Sequence, residues 1–136
     1  MSTLQDFLND NLVNGLTDEV AISPRFKDSA GNLLKFKIKA LSNTEFESIR
    51  KRCMTIGKKG KVDFNTQQFN SSLVIEHTIE PNFKDAASLA KVGAINPEDY
   101  LNKVLLSGEI TTLAEEIQKL SGFNVDMDSL VEEAKN

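Results

Sequence analysis

One histidine, one cysteine, paired glutamates and a glycine-lysine loop are the residues of this 136-residue chain whose types could do chemistry. A histidine titrates near neutrality and is the usual general base. His77, however, follows Leu73 and Val74 in an apolar helical pattern, the setting of a packed ring. A nucleophilic cysteine needs an open, electropositive surround. Cys53 falls instead on a stripe with Phe46, Ile49 and Ile56, which predicts an inert buried thiol. One His and one Cys cannot close a zinc site without distant carboxylates, and no ligand spacing suggests one. Glu115-Glu116 and Glu132-Glu133 are neighbours on predicted helices, where successive side chains diverge by about 100° and share no site. Gly57-Lys58-Lys59-Gly60-Lys61 has no strand before it and no Ser or Thr after its lysine, so it is not a phosphate-binding loop. Asn70-Ser71-Ser72 spells a glycosylation sequon that matters only in a secreted chain. No catalytic residue, metal or cofactor is expected. The expectation is a protein that acts by binding another protein.

Composition sets the frame for that expectation. The chain is 40% hydrophobic and 26% charged, with seven Gly, three Pro and no Trp. At this length one domain over 1–136 can bury roughly two-thirds of its unfolded surface. No apolar run approaches the roughly 20 residues of a membrane span, and Met1-Ser2-Thr3-Leu4-Gln5-Asp6 lacks the basic and apolar parts of a signal peptide. A lone cysteine allows no internal disulfide, which suits a reducing cytoplasm. The net charge of -4 is unevenly spread. Residues 1–24 carry four acids and no base, residues 25–61 eleven bases against three acids, and residues 62–136 five bases against thirteen acids. Such polarity permits self-association, or simple neutralisation within one fold. Nucleic acid is the rival partner: Arg50, Lys51, Arg52, Lys58, Lys59 and Lys61 could form a basic patch over 50–61. Against it stand the acidic whole and aromatics that fall on apolar stripes and not among the lysines.

The elements that would position any site are short. Ser2 and Gln5 have capping-box spacing, and Leu4, Phe7 and Leu8 follow as an apolar stripe, giving a short N-terminal helix or arm over 1–17 that Asn14-Gly15 ends. A β-hairpin is predicted over 18–41. Val20, Ile22, Pro24 and Phe26 share one parity, as do Leu34, Phe36, Ile38 and Ala40, with Lys35, Lys37 and Lys39 on the opposite face. Asp28 to Asn32 makes the turn, and Pro24 argues for an edge. Residues 42–136 read as helical. Ser42 to Glu45 opens one helix that runs to near Gly57, and Asn65 caps another that carries Phe69, Leu73, Val74 and Ile79 up to Pro81. Asp85 and Asn96-Pro97 start two more, the first stopped by Gly93. Ser107-Gly108-Glu109 opens the next, stopped by Gly122, and Met127, Leu130, Val131 and Ala134 line a last one from about Asp126. The predicted class is α+β, mostly α: an N-terminal hairpin covered by a bundle of short helices.

Taken in order, these segments resemble the XkdN-like family of phage tail assembly chaperones. The likeness runs through Ile22-Ser23-Pro24-Arg25-Phe26-Lys27-Asp28, the Gly31 turn, and Phe36-Lys37-Ile38-Lys39-Ala40-Leu41-Ser42. It resumes at Ile79-Glu80-Pro81-Asn82-Phe83-Lys84-Asp85 and at Leu105-Leu106-Ser107-Gly108-Glu109-Ile110, then Ile117 to Phe123 and Leu130 to Asn136. Ser107 stands where members often have proline, and 57–63 follows no family pattern. The resemblance implies a non-structural protein of the host bacterial cytoplasm. It would keep the hydrophobic, helical tape measure protein soluble, could also meet tail tube subunits, and would be absent from the finished virion. The alternatives are a small phage nucleic-acid binder using 50–61 and a minor structural tail component. Partner-facing residues are expected at Leu4, Phe7 and Leu8, and at Phe83, Leu105, Leu106 and Ile110. Genes for chaperones of this kind commonly yield a longer frameshifted product as well, and Ala134-Lys135-Asn136 permits one, since it can be encoded as GCA-AAA-AAC, which contains a slippery run; the codons of the gene decide.

Overall fold

The computed structural model describes residues 2–123. Helix α1 (Thr3–Asp10) begins where the Gln5 amide donates to the Ser2 hydroxyl at 3.0 Å, satisfying one of the donors a helix start leaves free. It stops before Asn14-Gly15, because the Asn11 side-chain amide caps the Phe7 carbonyl at 2.9 Å and a separate 3-10 turn takes Val13–Gly15.

Strands β1 (Thr17–Val20) and β2 (Phe36–Lys39) pair antiparallel, Thr17 opposite Lys39 and Val20 opposite Phe36. The expected hairpin is present, but its ladder is interrupted. Beyond Val20 the strands part and rejoin only at a bridge between Lys27 and Leu33. There the Asp28 carboxylate accepts from the Ala30 and Asn32 amides at 2.9 Å, closing the turn. Residues 21–26 face only 34–35 across this gap, so the longer side loops outward through Pro24-Arg25. Pro24 therefore sits in a turn outside the ladder, where its missing N–H costs no strand bond.

The segment expected to be helical from 42 onward contains three further strands. Helix α2 (Asn43–Arg52) has both halves of its capping box, Glu45 amide to Ser42 Oγ at 3.2 Å and Ser42 amide to Glu45 Oε1 at 3.0 Å. It ends at Arg52 and not near Gly57. Met54–Ile56 forms β3 and pairs with β4 (Val62–Phe64) around a turn at Lys58–Gly60. Helix α3 (Thr66–His77), capped by Asn65, likewise stops short of Ile79. Thr78–Glu80 becomes β5, which pairs with β2 and makes it the central strand of the order β1-β2-β5. β-Branched Thr78 and Ile79 suit a strand, and Pro81 biases the residue before it away from helix.

Helices α4 (Ala86–Val92), α5 (Pro97–Val104) and α6 (Ser107–Leu120) fall where their start signals predict. Asp85 accepts from Ser88 and Asn96 from Asp99. Gly93 closes α4 at φ 73, a left-handed conformation that glycine takes without a Cβ clash. The last predicted helix, with Met127, Leu130, Val131 and Ala134, lies outside the described residues. The core forms where α3 meets α2, α5 and α6 while α6 leans on β1 and β2. Ile38, Ile49, Leu73, Val74, Phe83, Leu101, Leu113 and Ile117 are buried in it.

One ion pair ties the hairpin excursion to this helical body. Arg25 grips Glu109 with two nitrogens, Nη2 to Oε1 at 2.7 Å and Nε to Oε2 at 3.0 Å. Its Nη2 also donates to the Val104 carbonyl at 2.9 Å, and the guanidinium lies 4.6 Å from the centre of the Phe26 ring. The same carboxylate accepts from the Leu106 amide at 2.8 Å, capping α6. The Glu109 side chain is only 7% exposed. The Arg25 hydrogen bonds, helped by the Leu106 amide, hold its carboxyl down at about 2 against an ordinary 4.5.

Replacing Glu109 by Gln leaves Arg25 half-paired, and a loss of about 2–3 kcal/mol is expected in denaturant unfolding. A double-mutant cycle with Arg25→Ala should show that the two substitutions are not additive. The pH dependence has a definite sign. Because the folded carboxyl titrates lower than the unfolded one, stability is present above 4.5 and declines as pH falls from there toward 2. Glu109→Gln should remove that part of the acid decline, and an unchanged slope would refute the assignment.

Candidate interaction surface

The residues with chemical potential are packed away. His77 ends α3 and is 2% exposed, and burial lowers its pKa against the pull of the Glu45 carboxylate 3.8 Å from Nε2. Cys53 caps α2, is equally buried, and burial pushes its thiol up, away from the reactive thiolate. Among the described residues no three His, Cys, Asp or Glu side chains come together as a metal cluster. No described helix is long and apolar enough to cross a membrane.

The expected partner-facing residues divide into three groups. Leu4, Phe7 and Leu8 are 68%, 60% and 53% exposed along α1, a helix with no buried residue at all. Their spacing puts them on one side of the helix. Leu12, Val13 and Leu16 extend the exposed apolar run into the strand that follows. Phe83 and Leu105, in contrast, belong to the core at 1% and 8% exposure. The structure brings these two together in the floor of a groove of about 340 Å³, walled by Phe26, Leu34, Tyr100 and Val104. Their side chains are committed to packing, with only their edges open to the groove. Leu106 and Ile110 form the third group. Leu106 is exposed at the start of α6, where its amide donates to Glu109, while Ile110 is half-buried against the core.

One surface escaped the sequence reading. In the β3–β4 hairpin, Ile56 faces Val62 and Met54 faces Phe64, so one side of the ribbon is wholly apolar. Phe64 anchors it against Phe69 of α3 at 5.3 Å between ring centres. Further out, Ile56 and Val62 are 79% and 53% exposed beside Lys58, Lys59 and Lys61. The signal was present in alternating Val62-Asp63-Phe64 and in β-branched Thr55-Ile56, but each strand is three residues long, too short for periodicity to declare itself.

A model of the phage XkdN-like tail assembly chaperone proteins matches residues 4–135. The phage-like element PBSX protein XkdN of Bacillus subtilis strain 168 is 30% identical over 123 residues, covering 87% of this chain and 83% of its own. An uncharacterized protein of the same strain, YqbN, shows the same identity and coverage. The crystal structure of the protein YqbN superposes with a TM-score of 0.70, covering 91% of this chain and 99% of that one at 24% identity, which shows a shared fold.

If α1 contributes nothing to the core, its truncation should be silent in stability. Leu4→Ala and Phe7→Ala are each expected to shift unfolding by less than about 0.5 kcal/mol. Leu73→Ala, at 0% exposure in α3, should cost about 2–5 kcal/mol. Thermal and urea melts on the three variants check both statements.

Proposed function

This chain belongs to the XkdN-like family of phage tail assembly chaperones, and we propose that it shields the tape measure protein in the host cytoplasm until tube subunits enclose it. The observation that carries the reading is α1. It is a capped helix whose apolar side, Leu4, Phe7 and Leu8, touches no core. An isolated helix of eight residues is marginal in water, so a partner that covers the stripe would also complete the helix. A long hydrophobic helical client offers the matching surface, since amphipathic helices pair through anchors at i, i+3 and i+4. Burying a leucine or phenylalanine contributes roughly 1.5–3 kcal/mol per side chain. Exposed Leu106 gives a further apolar contact at the start of α6. The work proposed is physical cover and not a reaction, in keeping with a family of chaperones. The chaperone would then be shed and leave the finished virion without it; contact with tube subunits would hand over the client.

Co-expression tests the proposal. The full chain should keep the tape measure protein in the soluble fraction and co-purify with it. The Leu4→Asp/Phe7→Asp/Leu8→Asp variant should fold with an unchanged core yet leave the client insoluble. A wild-type chain that neither solubilises nor retains the client would sink the proposal, and its detection in purified virions would make it a structural component instead.

A further inference from the structure

The outer half of the β3–β4 ribbon lacks cover. A two-stranded ribbon is marginally stable unless something shields its apolar side, and Ile56 and Val62 stand bare beyond Phe64. A row of rings leads away from that side. Phe64 meets Phe69 at 5.3 Å between centres, Phe69 meets Phe46 at 5.7 Å, and Phe46 meets Phe123 at 5.1 Å. Phe123 is the last described residue, so the chain leaves the described body at one end of this row while the bare ribbon lies at the other. Phe64 and Phe123 are 45% and 41% exposed, so the row opens to solvent at both ends. Lys51, Lys58, Lys59 and Lys61 border the ribbon, and none has a carboxylate within ion-pair distance among the described residues.

The sequence beyond Phe123 has a composition that matches this surface. Met127, Leu130, Val131 and Ala134 recur at i, i+3, i+4 and i+7, the spacing of one helical face. Asp126, Asp128, Glu132 and Glu133 fall off that face, against the single base Lys135. The thirteen residues 124–136 can span up to about 43 Å, ample for a row whose steps are under 6 Å each. We propose that residues 124–136 return along the ring row and cover the β3–β4 face of their own chain, with Leu130 and Val131 against Ile56 and Val62. Apolar contact holds the segment, and its acids meet the unpaired lysines. Tethering favours this occupant over a separate molecule, because a short tether holds its end at an effective concentration on the order of millimolar. Any other partner of this face must then displace the segment. The inference goes beyond the proposed function and does not rest on it, since the client is assigned to α1.

Zero-length carbodiimide coupling of amines to carboxylates in the full chain, read by mass spectrometry, tests it. Unlabelled and heavy-nitrogen chains are mixed in equal amounts and equilibrated first. Links from Lys58, Lys59 or Lys61 to Asp128, Glu132 or Glu133 are expected, each within one isotope. Links that join the two isotopes would put a second copy on the face, and no link to 124–136 would leave the face without this cover; either result overturns the proposal. Amide exchange gives an independent readout. Leu130→Asp/Val131→Asp should speed exchange across β3–β4 at least about fivefold and leave α3 unchanged. Glu132→Lys/Glu133→Lys should act in the same direction, and adding Lys58→Glu/Lys61→Glu should restore slow exchange. A merely damaged ribbon would not recover on that second exchange of charge. Unaltered β3–β4 exchange in the Leu130/Val131 variant would sink the proposal. None of these outcomes bears on client solubility, which is scored with the tape measure protein present.

Discussion

A single carboxylate holds the molecule's two halves in register. Glu109 begins α6, and its oxygens must serve the Leu106 amide, which the helix start leaves without a partner, and the guanidinium of Arg25 from the hairpin excursion. Both demands are met by an ionised group in a nearly enclosed position. Such a charge is costly to bury without partners, and here it has three donors arranged around it. Everything on either side depends on the arrangement. The excursion at 21–26 carries Arg25 to Glu109, and the same side chain meets the α5–α6 corner at the Val104 carbonyl. Phe26 lies under the guanidinium and meets Phe36 of the central strand at 5.1 Å, so the ion pair is joined directly to the apolar core.

Beneath that tie, the fold is assembled from pieces that are individually weak. Helices of seven to fourteen residues gain little from propensity alone. Most carry a side-chain cap at the start: Ser2, Ser42, Asn65, Asp85 and Asn96 each accept from an amide of the first turn. Caps specify where a helix begins, while burial decides whether it persists. α3 illustrates the second part. It passes through the centre with Phe69, Leu73 and Val74 against three other helices, and its buried side chains extend around the helix instead of along one stripe. α1 has the cap and lacks the burial.

That contrast also marks how much was legible in the sequence. Helix starts were readable because capping is local chemistry, written in residues three positions apart. The central strand was readable because Phe36 and Ile38 alternate with lysines. Three things were not. β3, β4 and β5 are three residues each, shorter than the window over which a period of two can be told from a helical stripe, so Ile56 and Ile79 were absorbed into neighbouring helices. Arg25 and Glu109 are 84 positions apart, and nothing local in either pairs them. Phe83 and Leu105 belong to the same class of apolar residue as Leu4 and Phe7, but whether such a residue faces the core or a partner depends on the surrounding elements and not on its own neighbours in sequence.

An exposed apolar stripe on a well-capped helix is a conflict between levels: the local sequence specifies a helix, and the fold gives its apolar face nothing to pack against. Such conflicts persist where the missing surface comes from another molecule. In α1 the conflict is confined to the chain's start, away from the Arg25–Glu109 tie and the α3 core. The body can therefore be stable while the arm stays uncommitted. A chaperone needs that separation. Were Leu4, Phe7 and Leu8 part of the core, holding a client would unfold the holder, and releasing the client would require refolding it. With the stripe outside the core, a partner that covered it would complete α1 without disturbing the body.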